Sequence, residues 1–205
     1  MPANKTYVVG LTGGIGCGKS EAAKYLCSLG AKHIDADAIS RSLTADDGAA
    51  LQELRRIFGD GIFNDDGSLN RRALGDLVFS DVGSKRALEG VIHPLVQRQV
   101  MDEIAAASAA GIPVTILDVP LLFETGMDVL CDETWTMSVP PEVQVRRVQA
   151  RDGMTEEQAR ARIAGQLPME ERNARSNKVI NSDRPVEKTQ AELNALYMQL
   201  LRRIG

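Results

Sequence analysis

Two patterns of apolar positions alternate along this chain. Short continuous runs suit strands buried on both faces: Tyr7-Val8-Val9-Gly10-Leu11 within a strand at about 6–12, and Val114-Thr115-Ile116-Leu117 within one at 113–119. Residues 134–139 form a similar run, and 31–35 and 178–180 are shorter candidates. Elsewhere apolar residues recur at helical spacing. Ala22, Ala23, Leu26 and Leu29 form one stripe, ended by Gly30. Leu193, Leu196, Tyr197, Leu200, Leu201 and Ile204 form another near the C-terminus. Strands alternating with helices predict an α/β fold with a parallel sheet flanked by helices.

The alternation is interrupted twice. Between 38 and 111 no strand pattern appears. Leu51, Leu54, Ile57 and Phe58 have helical spacing, as do Leu74, Leu77 and Val78, and then Leu95, Val96, Val100 and Ile104. Asp65-Asp66-Gly67-Ser68 marks a turn between two of these helices. His93-Pro94 reads as a helix start. This stretch is too long for a simple crossover and predicts a helical insertion on the ligand side of the sheet. The second interruption follows the fourth strand. Pro141 suits a helix's first turn, Arg151-Asp152-Gly153 breaks that helix, and Thr155-Glu156-Glu157-Gln158 has the form of a capping box opening another. The expected organisation is a core of 1–37, 112–140 and 174–205, an insertion of 38–111, and a small arginine-rich helical lid of 141–173.

The chain's 205 residues, 43% hydrophobic and 25% charged, suit a globular protein with one sizeable core. A net charge of −4 without a long basic run argues against a nucleic-acid partner. No stretch has the length of a membrane span, and no cationic segment followed by a long apolar run begins the chain, so no membrane partner and no signal peptide are expected. Cys17, Cys27 and Cys131 have neither disulfide-framework nor zinc-site spacing and fit a reducing cytoplasm.

The chemistry is concentrated at the end of the first strand. Gly13-Gly14-Ile15-Gly16-Cys17-Gly18-Lys19-Ser20 is G-x-x-x-x-G-K-S, a phosphate-binding P-loop placed between a predicted strand and a predicted helix. Its glycines let backbone N–H groups surround phosphates, and the helix adds its positive end. Residues Gly14, Ile15, Gly16, Cys17, Gly18, Lys19, Ser20 and Glu21 are the candidate ATP-binding set; Lys19 would reach the terminal phosphates and Ser20 would bind Mg²⁺. Asp35 and Asp37 lie where a strand's carboxyl end meets ligand in open α/β sheets. Either suits the carboxylate that takes a proton from an acceptor hydroxyl, and either suits a helix N-cap. Asp118, ending an apolar strand, is the candidate Mg²⁺-holding acid. Arg147 and Arg151, four apart on one helix face, suit stabilisation of a transferring phosphoryl group.

Several segments together resemble the bacterial dephospho-coenzyme A kinases. They are Leu11 to Ser20, Asp35-Ala36-Asp37, His93-Pro94-Leu95-Val96, Asp118-Val119-Pro120-Leu121-Leu122-Phe123-Glu124, Gln144 to Asp152, and Gln166-Leu167-Pro168, in that order. The resemblance implies a P-loop kinase fold and transfer of the ATP γ-phosphate to the ribose 3′-hydroxyl of dephospho-coenzyme A, as the last step of coenzyme A synthesis. It implies Asp37 as base with Asp35 beside it, and Thr12, His93 and Leu121 with them on the acceptor's side. It also makes the insertion the coenzyme A-binding part, Arg147 and Arg151 part of the lid, Mg²⁺ the metal, and the protein a cytoplasmic monomer or weak homo-oligomer. The chain departs from the family pattern at Glu21, at Ser176-Asn177 and at Asn181-Ser182-Asp183-Arg184, the last two near the expected nucleotide base. The other readings are a different small-molecule or nucleoside monophosphate kinase, and a guanine-nucleotide switch. The switch needs Asn-Lys-x-Asp, whereas Asn177-Lys178-Val179 is followed by Ile180.

Overall fold

A computed structural model describes residues 5–205; the first four residues of the expected core segment lie outside them. The chain divides into two compact units. One comprises the chain up to Asp35 with Glu103–Gly205, and the other Ala36–Asp102.

The first unit is built on a parallel sheet of β1 (Tyr7–Gly13), β2 (Lys32–Asp35), β3 (Val114–Asp118), β4 (Glu133–Ser138) and β5 (Lys178–Asn181), in the order β2-β3-β1-β4-β5. The two central strands carry the continuous apolar runs because both their faces are covered: all five residues of β3 are buried, as are six of the seven in β1. Register sets the site. Leu11 lies opposite Asp118 and Asp35 opposite Asp118 on its other side, so the P-loop strand and both acids end at one edge. Helices α1 (Lys19–Ser28) and α9 (Val186–Ile204) contribute Ala22, Leu26, Leu193 and Tyr197 to a core that also holds Trp135 and Met137. The arginine-rich segment folds as α6 (Pro141–Asp152), α7 (Glu156–Ala164) and α8 (Met169–Arg175). Pro141 stands in the first turn of α6, Gly153 at φ 66° ends it, and the Thr155–Gln158 capping box opens α7.

The far end of the sheet is closed by a buried carboxylate. Glu133 accepts hydrogen bonds from Trp135 Nε1 at 2.9 Å and Tyr7 Oη at 3.3 Å, and pairs with Arg203 of α9. Burial pushes its pKa up, but the bonds from Arg203 and Trp135 outweigh it, leaving the net value below the ordinary 4.5. A folded pKa below the unfolded one contributes stability that is complete above the unfolded value and lost as pH falls through the folded one. Glu133→Gln should therefore cost about 1–3 kcal/mol at neutral pH. It should also flatten the acid side of the pH–Tm curve, which calorimetry between neutral and acidic pH reads directly.

The second unit is helical: α2 (Ala36–Leu43), α3 (Leu51–Phe58), α4 (Arg71–Ser80) and the greater part of α5 (Val82–Ala109). The 64–68 segment turns through Gly67 at φ 84°, with Asn64 N–H donating to the Ser68 carbonyl at 2.9 Å. His93-Pro94 does not start a helix; it lies inside α5. Pro94 forfeits the bond to the Gly90 carbonyl, but Val91, Ile92, Val96 and Val100 are buried on either side, and their packing carries the helix through. The start signal is Asp81, whose carboxylate accepts the Ser84 N–H at 2.6 Å.

Candidate active site

β1 delivers the chain into a loop that runs from Gly14 to Gly18 before α1 begins at Lys19. Gly16 and Gly18 have φ of 80° and 78°, which side-chain-bearing residues rarely adopt. Space forbids side chains as well. A Cβ on Gly14 would lie 2.5 Å from Gln144 Nε2, and one on Gly16 would lie 3.2 Å from Val148 Cγ2, so the loop is packed directly on α6. No side chain caps the start of α1, leaving the helix's first N–H groups to an anion. The Ile15 N–H is already taken, donating to Gln166 Oε1 at 2.9 Å.

Lys19 pairs with Asp118, the last residue of β3. The Lys19 and Asp118 side chains are mostly buried, and His33 Nε2 lies 3.2 Å from the second Asp118 oxygen. His33 is not among the residues that the sequence motifs single out. Its signal was the strand period: His33 shares a face of β2 with Asp35, and the register sets that face beside Asp118. Asp118 and the exposed Ser20 hydroxyl are hard oxygen donors, which fit the Mg²⁺ that the resemblance implies. That ion commonly takes one or two protein oxygens and completes its shell with phosphate and water.

The two arginines of α6 have different partners. Arg147 Nη2 donates to the Ser182 carbonyl at 2.7 Å and Nη1 to the Gly16 carbonyl at 3.4 Å, while Ser182 Oγ donates to the Cys17 carbonyl at 2.8 Å. These bonds fasten α6 and the β5–α9 connection to the P-loop. A cavity of about 180 Å³ opens there, lined by Gly18, Glu21, Met137, Arg147 and Arg184. Arg151 instead pairs with its neighbour Asp152 at 2.7 Å and is largely exposed. Glu21 is exposed and pairs with Lys24 at 2.9 Å. Thr12 is fully buried and its hydroxyl donates to the Pro120 carbonyl at 3.1 Å, while Leu121 is exposed on the loop after β3. Cys17 is buried within the P-loop, and burial pushes its thiol up to about 11, so it is not a thiolate near neutral pH.

Asp37 and His93 belong to the helical unit. Asp37 is exposed in the first turn of α2, directly after Asp35 and Ala36, where a carboxylate is favoured by the helix dipole. His93 borders a cavity of about 330 Å³ with Arg71, Leu74, Val78, Glu89 and Ile92. Arg71, absent from the sequence-based candidates, is held there by the Thr44 hydroxyl at 3.0 Å and carbonyl at 3.1 Å.

The pattern of the CoaE dephospho-CoA kinase family matches residues 7–188. A dephospho-CoA kinase from Symbiobacterium thermophilum is 40% identical over 190 residues, 93% of this chain and 80% of that one. One from Anaeromyxobacter dehalogenans is 42% identical over 175 residues, covering 85% of this chain and 83% of that one. A crystal structure from Thermus thermophilus superposes with a TM-score of 0.81 at 37% identity, covering 95% of this chain and 98% of that one. With the P-loop, the Lys19–Asp118 pair and the helical unit all in place within the matched region, the chain belongs to the dephospho-CoA kinase family.

Proposed function

We propose that the chain transfers the γ-phosphoryl group of ATP to the ribose 3′-hydroxyl of dephospho-coenzyme A, giving ADP and coenzyme A in the last step of coenzyme A synthesis. The observation that carries this reading is the buried Lys19–Asp118 pair beside an uncapped helix start. Polyphosphate docks on the N–H groups of the P-loop and draws Lys19 from Asp118 onto its terminal phosphates, which frees the carboxylate. Ser20 and Asp118 would hold Mg²⁺, which would supply positive charge to neutralise the phosphates. His33 keeps Asp118 oriented during this exchange. Asp37 takes the proton of the 3′-hydroxyl as its oxygen bonds to phosphorus and the bond to the ADP oxygen breaks, with Asp35 beside it. Arg147 and Arg151 stabilise the charge on the transferring group.

Residues 1–37, 112–140 and 174–205 act as the nucleotide core and 141–173 as the lid. The 38–111 insertion receives the acceptor, with Thr12, His93 and Leu121 on the acceptor's side. The cavity by Gly18, Arg147 and Arg184 takes the adenine end of ATP. The protein works in the cytoplasm as a monomer or weak homo-oligomer; among the described residues no helix is long and apolar enough to cross a membrane. A coupled assay of ADP release should show turnover with dephospho-coenzyme A and none with AMP, GMP or shikimate. Folded protein that releases no ADP with dephospho-coenzyme A overturns the reading, and turnover with shikimate or a nucleoside monophosphate favours a different acceptor.

A further inference from the structure

Arg172, in α8, is 1% exposed, an extreme burial for a permanently charged side chain. It has one carboxylate partner, Glu124, at 3.1 Å from Nη2. Its Nε is buried with no hydrogen-bond partner. Its Nη1 lies 3.4 Å from the position a Cβ on Gly14 would occupy, so the guanidinium rests against the tip of the P-loop where only glycine leaves room. Glu124 Oε1 also accepts the Leu167 N–H at 3.0 Å, and Gln166, the preceding residue, accepts the Ile15 N–H at 2.9 Å.

A charge in this position is a poor way to stabilise a fold. Burying a guanidinium with one shared acceptor and one orphaned donor costs more than an apolar side chain of similar volume would. What the position does provide is a fixed positive charge against the loop that receives phosphates, in surroundings that screen it little. The same field reaches Cys17: burial pushes that thiol up, and Arg172 is the strongest influence pulling it back down. The pair ties the segment after β3 to the end of the arginine-rich segment, and both residues belong to the sheet's own unit.

We propose that Arg172 is a positioning residue for phosphoryl transfer. It biases the P-loop tip toward polyphosphate from behind, and through Glu124 it fixes the 166–167 turn that clasps the Ile15 N–H. This deepens the proposed function and rests on the P-loop binding ATP.

The test is a titration of the parent protein and its variants with ATP, ADP and AMP, without acceptor. Attraction by a fixed charge grows with the charge of the ligand. Arg172→Gln should therefore weaken ATP binding by about tenfold or more, ADP less and AMP least. Arg172→Lys, which keeps the charge, should restore most of the ATP affinity. If the lone glutamine leaves Glu124 uncompensated and the fold weakened, Arg172→Met/Glu124→Gln removes both charges, and the same graded order is expected at near-parental Tm. Equal losses for the three nucleotides, or no loss, overturn the proposal and leave Arg172 a packing residue. A parent protein that binds no ATP overturns the proposal and the P-loop reading together.

Discussion

Lys19→Met should lower kcat/KM for ATP by about 10²–10³, the scale on which a preorganised donor to developing phosphate or oxyanion charge contributes. The loss should appear in both parameters, because the same ammonium meets phosphate in the ground state and in the transition state. The variant should also lose stability in the absence of nucleotide. Lys19 and Asp118 are mostly buried, so removing the cation leaves the carboxylate beside His33 alone of the two side chains that met it. A buried charge stripped of its counter-ion is costly, about 3–5 kcal/mol. The double variant Lys19→Met/Asp118→Asn separates the two effects. It should recover Tm, because no unpaired charge is left, and it should remain inactive, because neither the phosphate ligand nor the carboxylate is restored. Thermal unfolding and ADP-release kinetics on the three proteins read this directly. Unchanged Tm in the single variant would show that the resting pair contributes nothing to the fold, and unchanged kcat/KM would remove Lys19 from the machinery.

What was legible in the sequence is what short-range physics dictates. The apolar runs around Val9 and Ile116 announce strands covered on both faces, and β1 and β3 are the buried centre of the sheet. The P-loop glycines, the Thr155 cap and the Pro141 start act within a few residues of themselves, and each is where its spacing placed it. Pro94 was misleading for the same reason: local chemistry favours a helix start after His93, while the burial of Val96 and Val100 is decided by residues far away. The unread part of the site is all long-range. His33 meets Asp118 across 85 positions, Arg172 meets Glu124 across 48, and Ser182 meets Cys17 across 165. A histidine on a short strand and an arginine on a polar helix carry no mark of such partners until the register is known. Arg147 was picked out by its spacing from Arg151, yet their partners differ: one grips the P-loop and Ser182, the other its own neighbour. Helical spacing reports a shared face and not shared partners.

The largest effect expected of a single substitution belongs to Asp37. In the proposed reaction its carboxylate receives the proton of the acceptor hydroxyl while the P-loop holds ATP. Asp37→Asn keeps size and hydrogen-bonding shape but removes the basic oxygen. It should reduce kcat by about 10²–10⁴, the usual contribution of a positioned base. ATP affinity should stay within about twofold, since no P-loop group is touched and uniform binding is left as it was. Asp35→Asn provides the contrast. Asp35 stands in register with Asp118 at the end of β2, so its loss should act on the metal and phosphate side, raising the KM for Mg²⁺·ATP more than it lowers kcat. Nucleotide titration and steady-state kinetics on the two variants form a crossed test of which acid faces the hydroxyl. If Asp37→Asn abolishes ATP binding, or if Asp35→Asn produces the kcat loss with binding intact, the base is misassigned and the two aspartates exchange roles.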